Sequence, residues 1–372
     1  MAYALCVLIF FISLLQFALT ENSFKNFQVQ FRKKYVNNSE LLLREQIFAK
    51  NLEQIEQHNA RFRQGLVTYE MGVNKFSDLT SEEFQAFLRA KESPLPVQEK
   101  WLESTESPPD SIDWRELGAV TEVKDQGICG ACWAFSATGT LEGLYQQKYG
   151  ELLSFSEQQL LDCDSSAVGC NGGIVQYALQ YVAESGLKIG EEYPYVQEKL
   201  TCQNTTNQTV KVYTKNYVGI PSYNETELKK AVGLIGPISV AFDANLIQHY
   251  TAGIFDGTNC TNNVNHAVLA VGYDIDKESN TSYWLLKNSW GLDWGEEGYF
   301  RMTFSEDGKG LCGIVRQSCY PDGIFNSKVI DDSDDSDDSG GSVTTSKPNA
   351  GNFISLNKWI ALILGVLLKF NF

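Results

Sequence analysis

The 372-residue sequence predicts an α+β fold, with helix signals early and strand signals late. Residues 40–59, ELLLREQIFAKNLEQIEQHN, put Leu41, Phe48, Leu52 and Ile55 near one face and Glu, Arg and Gln on the other, the period of an amphipathic helix. The run that opens at Cys132, CWAFSATGTLEGLYQQKYG, is helix-compatible over four turns without proline. By contrast, NVNHAVLAVGY (263–273) and WLLKNSWG (284–291) read as apolar β-strands. Helices and strands in separate stretches are the mark of an α+β chain. Hydrophobic residues at 43%, charged residues at 20% and only nine prolines exclude collagen-like and wholly disordered classes.

The ends of the chain differ from its middle. Met1–Thr20 is apolar through Leu5–Phe11 and Ile12–Leu19 and closes on the small residues Ala18 and Thr20, the pattern of a secretory signal peptide over 1–20. Sequons at Asn37, Asn204, Asn207, Asn224, Asn259 and Asn280 fit a glycosylating route. At the other end, residues 323–348 hold three Asp-Asp-Ser repeats (Asp331–Ser339) followed by glycine, serine and threonine, and such a stretch forms no core. Residues 349–372 combine the small residues Asn349, Ala350 and Gly351 with a polar spacer and the apolar run Trp359–Leu368. That is the layout of a GPI-attachment signal, and hence of a candidate membrane tether.

The formal net charge is −16, and residues 108–322 hold 27 of the 46 acidic groups against 14 of the 30 basic ones. A nucleic-acid partner is excluded, because an acidic surface repels phosphate. Residues 323–372 net only −2, because four lysines offset the six Asp of the repeat, which reads as a solvated linker.

Residues 21–107 form a separate unit. An Asn37-Asn38-Ser39 stretch precedes the amphipathic helix as a cap, and the polar segment 88–107, with Pro94 and Pro96, suits an extended, cleavable connection.

The chemistry is expected in 108–322, where eight cysteines lie. In a secreted chain most of these are bridged. Cys129-Gly-Ala-Cys132 is neither half of a zinc site nor a redox pair, since no second Cys/His pair has ligand spacing and no βαβ context surrounds it. No metal and no cofactor are therefore expected. Cys132 at the start of a helix is placed for thiolate chemistry, because the helix dipole and a nearby imidazolium favour the charged sulfur, and a thiolate attacks carbonyls. The base must be a histidine. His249, in NLIQHYTAGIF, reads as a surface residue, whereas His266, in an apolar strand, must have a satisfied role. Asn288 can accept the imidazole N–H, with Trp290 shielding that bond.

These residues carry a family resemblance. QGICGACWAF (126–135) is similar to the nucleophile region of papain-family cysteine peptidases, whose signature has a downstream His and Asn. DWRELGAVTEVKDQG (113–127), GCNGG (169–173), GPISVAFDA (236–244) and KNSWGLDWGEEGYF (287–300) extend the match over nearly all of 108–321. Upstream, Glu40, Arg44, Phe48, Asn51, Ile55 and Asn59, followed by Gly72, Asn74, Phe76 and Asp78, resemble the two motifs of cathepsin L-like propeptides.

The resemblance implies a papain-like fold of a helical and a β-barrel-like subdomain over 108–322, preceded by a helical inhibitory propeptide over 21–107 whose tail crosses the cleft in the unproductive direction. It makes Cys132 the nucleophile, His266 the acid/base, Asn288 the orienter of the imidazole and Gln126 an oxyanion donor. Gly172 and Gly173 would meet substrate backbone. Ile174, Val175, Ala241, Val264 and Ala267 would line an apolar pocket for the second residue before the scissile bond, with Gln317 at its floor and Trp290 beside the site. Bridges Cys129–Cys170, Cys163–Cys202 and Cys260–Cys312 are implied, leaving Cys319 as a buried thiol. Asn265 stands beside the histidine where many relatives carry Asp.

The function expected is that of a cysteine endopeptidase, made as a zymogen, monomeric, secreted or lysosomal and suited to acid conditions. Its partners would be protein and peptide substrates, its own propeptide and cystatin-type inhibitors. Two alternatives use the same chain: a transpeptidase or ligase sharing the acyl-enzyme, and a catalytically silent tethered binding protein. Loss of the nucleophile would mark the latter, and Cys132 is present.

Overall fold

The computed structural model describes residues 23–94, 106–203 and 210–326. The signal peptide, the sequons at Asn204 and Asn207, the Asp-Ser repeats and the attachment candidates Asn349, Ala350 and Gly351 lie outside the described residues.

The proregion is built on α1 (Asn38–Phe62), capped by Asn37, whose side chain accepts from the Glu40 backbone N–H. Its spaced residues each have a physical task. Phe48 closes a small aromatic core with Phe24 and Phe27. Arg44 donates to Glu83 at 2.7 Å and to the Asp78 carbonyl at 3.0 Å. Asn51 donates to the carbonyls of Ser77 and Leu79, and Asn59 exchanges two hydrogen bonds with Met71. The motif thus supplies partners for loop backbone that would otherwise be buried unpaired. Helix α2 (Ser81–Phe87) follows, started by a Thr80/Glu83 capping box.

Between them β1 (Tyr69–Met71) adds an edge strand to the enzyme. It pairs antiparallel with β7 (Tyr250–Phe255), Tyr69 opposite Gly253, a case of strand addition to an exposed sheet edge. Gly72 must be small here, since a Cβ would stand 2.4 Å from Thr251 Oγ1.

After β2 (Ile112–Asp113), the peptidase region has two cores. The first is helical: α3 (Cys132–Tyr149) is buried on nearly every side and packs with α4 (Glu157–Cys163) and α5 (Val175–Ser185). A lone amphipathic stripe is therefore absent from α3, as befits a central helix. Short β3 (Leu187–Lys188), β4 (Lys211–Tyr213) and β12 (Phe325–Asn326) form a three-stranded sheet.

The second core lies on a nine-stranded sheet. Its order is β1, β7, β10 (Tyr299–Thr303), β9 (Ser282–Lys287), β8 (His266–Ile275), β6 (Ile238–Phe242), β11 (Cys319–Pro321), β5 (Tyr217–Gly219), with β2 on β8. Helix α6 (Glu225–Leu234), capped by Asn224, packs on β8. The core of this half takes in Tyr69, Phe76, Phe84 and Leu88 of the proregion along with Trp290, Trp294 and Phe300. Burial of those proregion aromatics holds it in place. Bridges join Cys129–Cys170, Cys163–Cys202 and Cys260–Cys312, while Cys132 and Cys319 are free and buried.

One expectation is overturned. His249 is not a surface residue: only 6% of it is exposed, beneath the proregion loop that runs from Gly72 to Asp78. The Gly72 N–H donates to its carbonyl at 2.8 Å, and Ser77 Oγ approaches its Nδ1 at 3.4 Å. The turn that precedes β7 looks polar in sequence because its cover comes from 170 residues earlier in the chain.

Candidate active site

Cys132 opens α3, and its N-cap Ala131 offers no side-chain cap. The Ala131 and Ala134 N–H groups are taken by the Cys129 and Ala131 carbonyls, and the positive end of the helix still faces the sulfur. Burial nevertheless lifts the thiol above its ordinary range, against backbone hydrogen bonds from Ala267, Arg89, Trp133 and Ala90. Two of those four belong to the proregion, which sits on the sulfur.

His266 begins β8, paired across from Phe242 on β6. Its Nε2 lies 2.8 Å from Asn288 Oδ1, and the Ser289 backbone N–H donates to the same oxygen at 2.8 Å. An atom that takes an N–H from the main chain is the oxygen, so Nε2 carries the ring proton in neutral His266 and Nδ1 keeps its lone pair. Nδ1 has no hydrogen-bond partner among the described residues. Trp290 stacks on the imidazole at 4.5 Å and is itself fully buried, capped by Phe76 at 5.2 Å and Phe84 at 5.5 Å. Burial pulls His266 down to about 4, with Asn288 opposing. Burial beneath the proregion thus disfavours the charged form of both the sulfur and the ring.

Gln126 is fixed from three sides. Its Oε1 accepts from Ser289 Oγ at 2.7 Å, its Nε2 donates to the Cys129 carbonyl at 2.9 Å, and its own carbonyl accepts from Tyr195 at 2.8 Å. A primary amide has two N–H groups, so one donor remains.

The proregion tail crosses this site. Ala90 N–H donates to the Asn265 carbonyl at 2.9 Å and Lys91 N–H to the Gly173 carbonyl at 3.2 Å, with Ala90 bridged to Gly173 in parallel. Gly172 has φ +107°, and a Cβ there would stand 2.1 Å from the Arg89 carbonyl. Gly173 is small for a different reason, because a Cβ would strike the Trp133 ring at 2.5 Å. Val175, Ala241, Val264 and Ala267 belong to one buried cluster against which Ala90 packs, and Ile174 is buried beside them. Gln317 accepts the Ser93 N–H at 3.0 Å. The Asn265 side chain accepts from Ala244 N–H and donates to Asn245, which ties down the turn before His266.

A buried charge cluster behind the site has no counterpart in the sequence reading. Lys124 pairs with Glu142 at 2.7 Å and Glu157 at 2.6 Å, and Thr121 and Thr138 donate to the two carboxylates. Lys287, adjacent to Asn288, donates to Thr121, and burial lowers it to about 8. Burial alone would raise Glu142, yet Lys124 and Lys287 bring it below its ordinary value. These residues lie far apart in sequence with no common spacing, so only folding reveals the pairing. Among the described residues no cluster of His, Cys, Asp and Glu could hold a metal.

A family model for papain family cysteine protease matches residues 108–322, and one for the cathepsin propeptide inhibitor domain matches residues 24–84. Digestive cysteine proteinase 1 of Homarus americanus is 42% identical over 82% of this chain and 96% of that protein. Cathepsin L of Sarcophaga peregrina is 40% identical over 82% of this chain and 93% of that protein. The solved structure of digestive procathepsin L 3 from Tenebrio molitor larval midgut superposes with a TM-score of 0.76 at 38% identity, over 82% of this chain and 99% of that one. The two matched models and the shared fold settle the family: the chain belongs to the papain family of cysteine proteases, with a cathepsin-type proregion as its own inhibitor.

Proposed function

We propose that this cysteine endopeptidase uses Cys132 as nucleophile and His266 as acid and base, and that it is released from its proregion at acid pH. The observation that carries the reading is the fixed tautomer of His266: Asn288 holds Nε2–H, which leaves Nδ1 as the basic atom in the cleft. Departure of the tail lets water and the helix dipole act on the sulfur, and the proton moves from Cys132 to Nδ1. The thiolate attacks the scissile carbonyl, and the oxyanion is received by the Cys132 N–H and the free Gln126 N–H. Collapse expels the amine, protonated by His266. Water, deprotonated by His266, then attacks the thioester and restores the thiol.

Ile174, Val175, Ala241, Val264 and Ala267 favour an apolar side chain at the second residue before the scissile bond, in the place that Ala90 fills in the zymogen. The three bridges suit an oxidising compartment, so the enzyme works in a lysosome or outside the cell. Residues 349–372 would supply the tether.

Holding the purified full-length protein at about pH 4–5 with reductant, then adding an epoxide thiol reagent and mapping the adduct by mass spectrometry, tests the assignment. The adduct is expected on Cys132 after loss of the proregion, with neither event in Cys132→Ala. Full peptidase activity in Cys132→Ala would overturn it.

A further inference from the structure

Beside the apolar pocket lies a cavity of about 170 Å³, bordered by Gln176, Tyr217, Ser222, Tyr223, Arg316 and Gln317. Glu92 and Ser93 of the proregion also line it. Its two charges come from different parts of the zymogen: the cation is Arg316 of the peptidase region, and the anion is Glu92 of the proregion, paired with it. Arg316 is held in place by donating to the Asn262 carbonyl at 2.6 Å and by the Ser222 hydroxyl, which donates to its own carbonyl at 2.9 Å. Gln317 adds a second donor. Its Oε1 is fixed as the oxygen by the Ser93 N–H, so the buried atom without a hydrogen-bond partner is the amide nitrogen Nε2.

Removal of the proregion takes away Glu92 and leaves a polar cavity that holds a positioned guanidinium and an unused amide N–H. A carboxylate answers both donors. We propose that Arg316 and Gln317 form an acid-reading end to this pocket, so that the mature enzyme accepts glutamate at the second residue before the scissile bond as well as apolar side chains. Glutamate carries its carboxylate on two methylenes, so one side chain can offer both an apolar stem and the anion that these donors answer. A lysine there would meet Arg316 and be rejected, and a neutral glutamine would lose the charge-assisted contact. Within the zymogen, Glu92 occupies this end as an internal mimic of such a side chain.

The proposal rests on the peptidase reading above, and the test separates the two. Mature enzyme is assayed on peptides that differ only at that position: Leu, Gln, Glu and Lys. Glu is expected to exceed Gln in kcat/KM by about fivefold, the worth of one partly screened ion pair, with the preference shrinking at high salt. Arg316→Gln should erase the Glu-over-Gln preference, and Arg316→Lys should restore part of it. Titration of Cys132→Ala, freed of its proregion by added wild-type enzyme and then repurified, with the same peptides reads the preference as affinity, so it holds whether or not Cys132 is the nucleophile. Equal binding of Glu and Gln peptides, or a preference that survives in Arg316→Gln, overturns the proposal. Cleavage that persists in Cys132→Ala overturns the peptidase assignment instead.

Discussion

His249 lets the pH dependence of zymogen release be worked out from one side chain. Burial under the proregion loop lowers it to about 4, from 6.5 for a solvated imidazole. The facing groups are Ser77 and the Gly72 N–H from the loop, Gln248 on its own turn, and His58, Arg61 and Gln54 of α1, which border the same cavity. No carboxylate among the residues that line that cavity could stabilise a protonated ring. The sign follows from linkage: the docked state binds the proton less well than the released state, so docking is strongest above pH 6.5 and weakens as pH falls from 6.5 to 4. At about 1.4 kcal/mol per pH unit, the full window corresponds to ~3 kcal/mol, or roughly 300-fold in the docking equilibrium, as an upper limit. Removing the charge change with His249→Gln should therefore abolish this increment. The assay is the rate of proregion loss in wild type and His249→Gln at each pH, taken as a ratio so that the enzyme's own pH profile cancels. The ratio should be near one at pH 7 and rise toward 10²-fold by about pH 4.5. A ratio that stays flat across that range would refute the reasoning.

Two further expectations concern catalysis and stability. Gln126→Ala should lower kcat by about 10²–10³ with little change in KM, as for loss of one oxyanion donor; steady-state kinetics on the processed enzyme checks it. Lys124→Met leaves Glu142 and Glu157 buried without their cation, and should cost about 3–5 kcal/mol in denaturant unfolding of the mature enzyme. The double variant that also carries Glu142→Gln should recover part of that loss.

Much of the site is legible in the sequence because each residue there has a local signature. Cys132 announces itself by opening a proline-free helix, and that helix runs from Cys132 to Tyr149. Asn37 was readable as a cap because a side chain that caps acts on residues three positions away. His266 stood out as an imidazole in an apolar strand, and Asn288 lies one strand away. His249 is not legible in the sequence for the converse reason. Its own neighbours in sequence are polar or mixed, and its burial comes from a loop that only tertiary contact brings to it.

The sequence by itself pointed to the chemistry of the protein: residue type and local spacing single out Cys132 and His266 as candidates, and the family resemblance implies the bridges and the inhibitory segment. The tertiary structure decided how that chemistry is governed. It placed Ala90 over Cys132, Glu92 against Arg316, the proregion aromatics over Trp290, and Lys124 between Glu142 and Glu157. Charge pairing, desolvation and close packing depend on distance through space, and separation along the chain does not encode that distance.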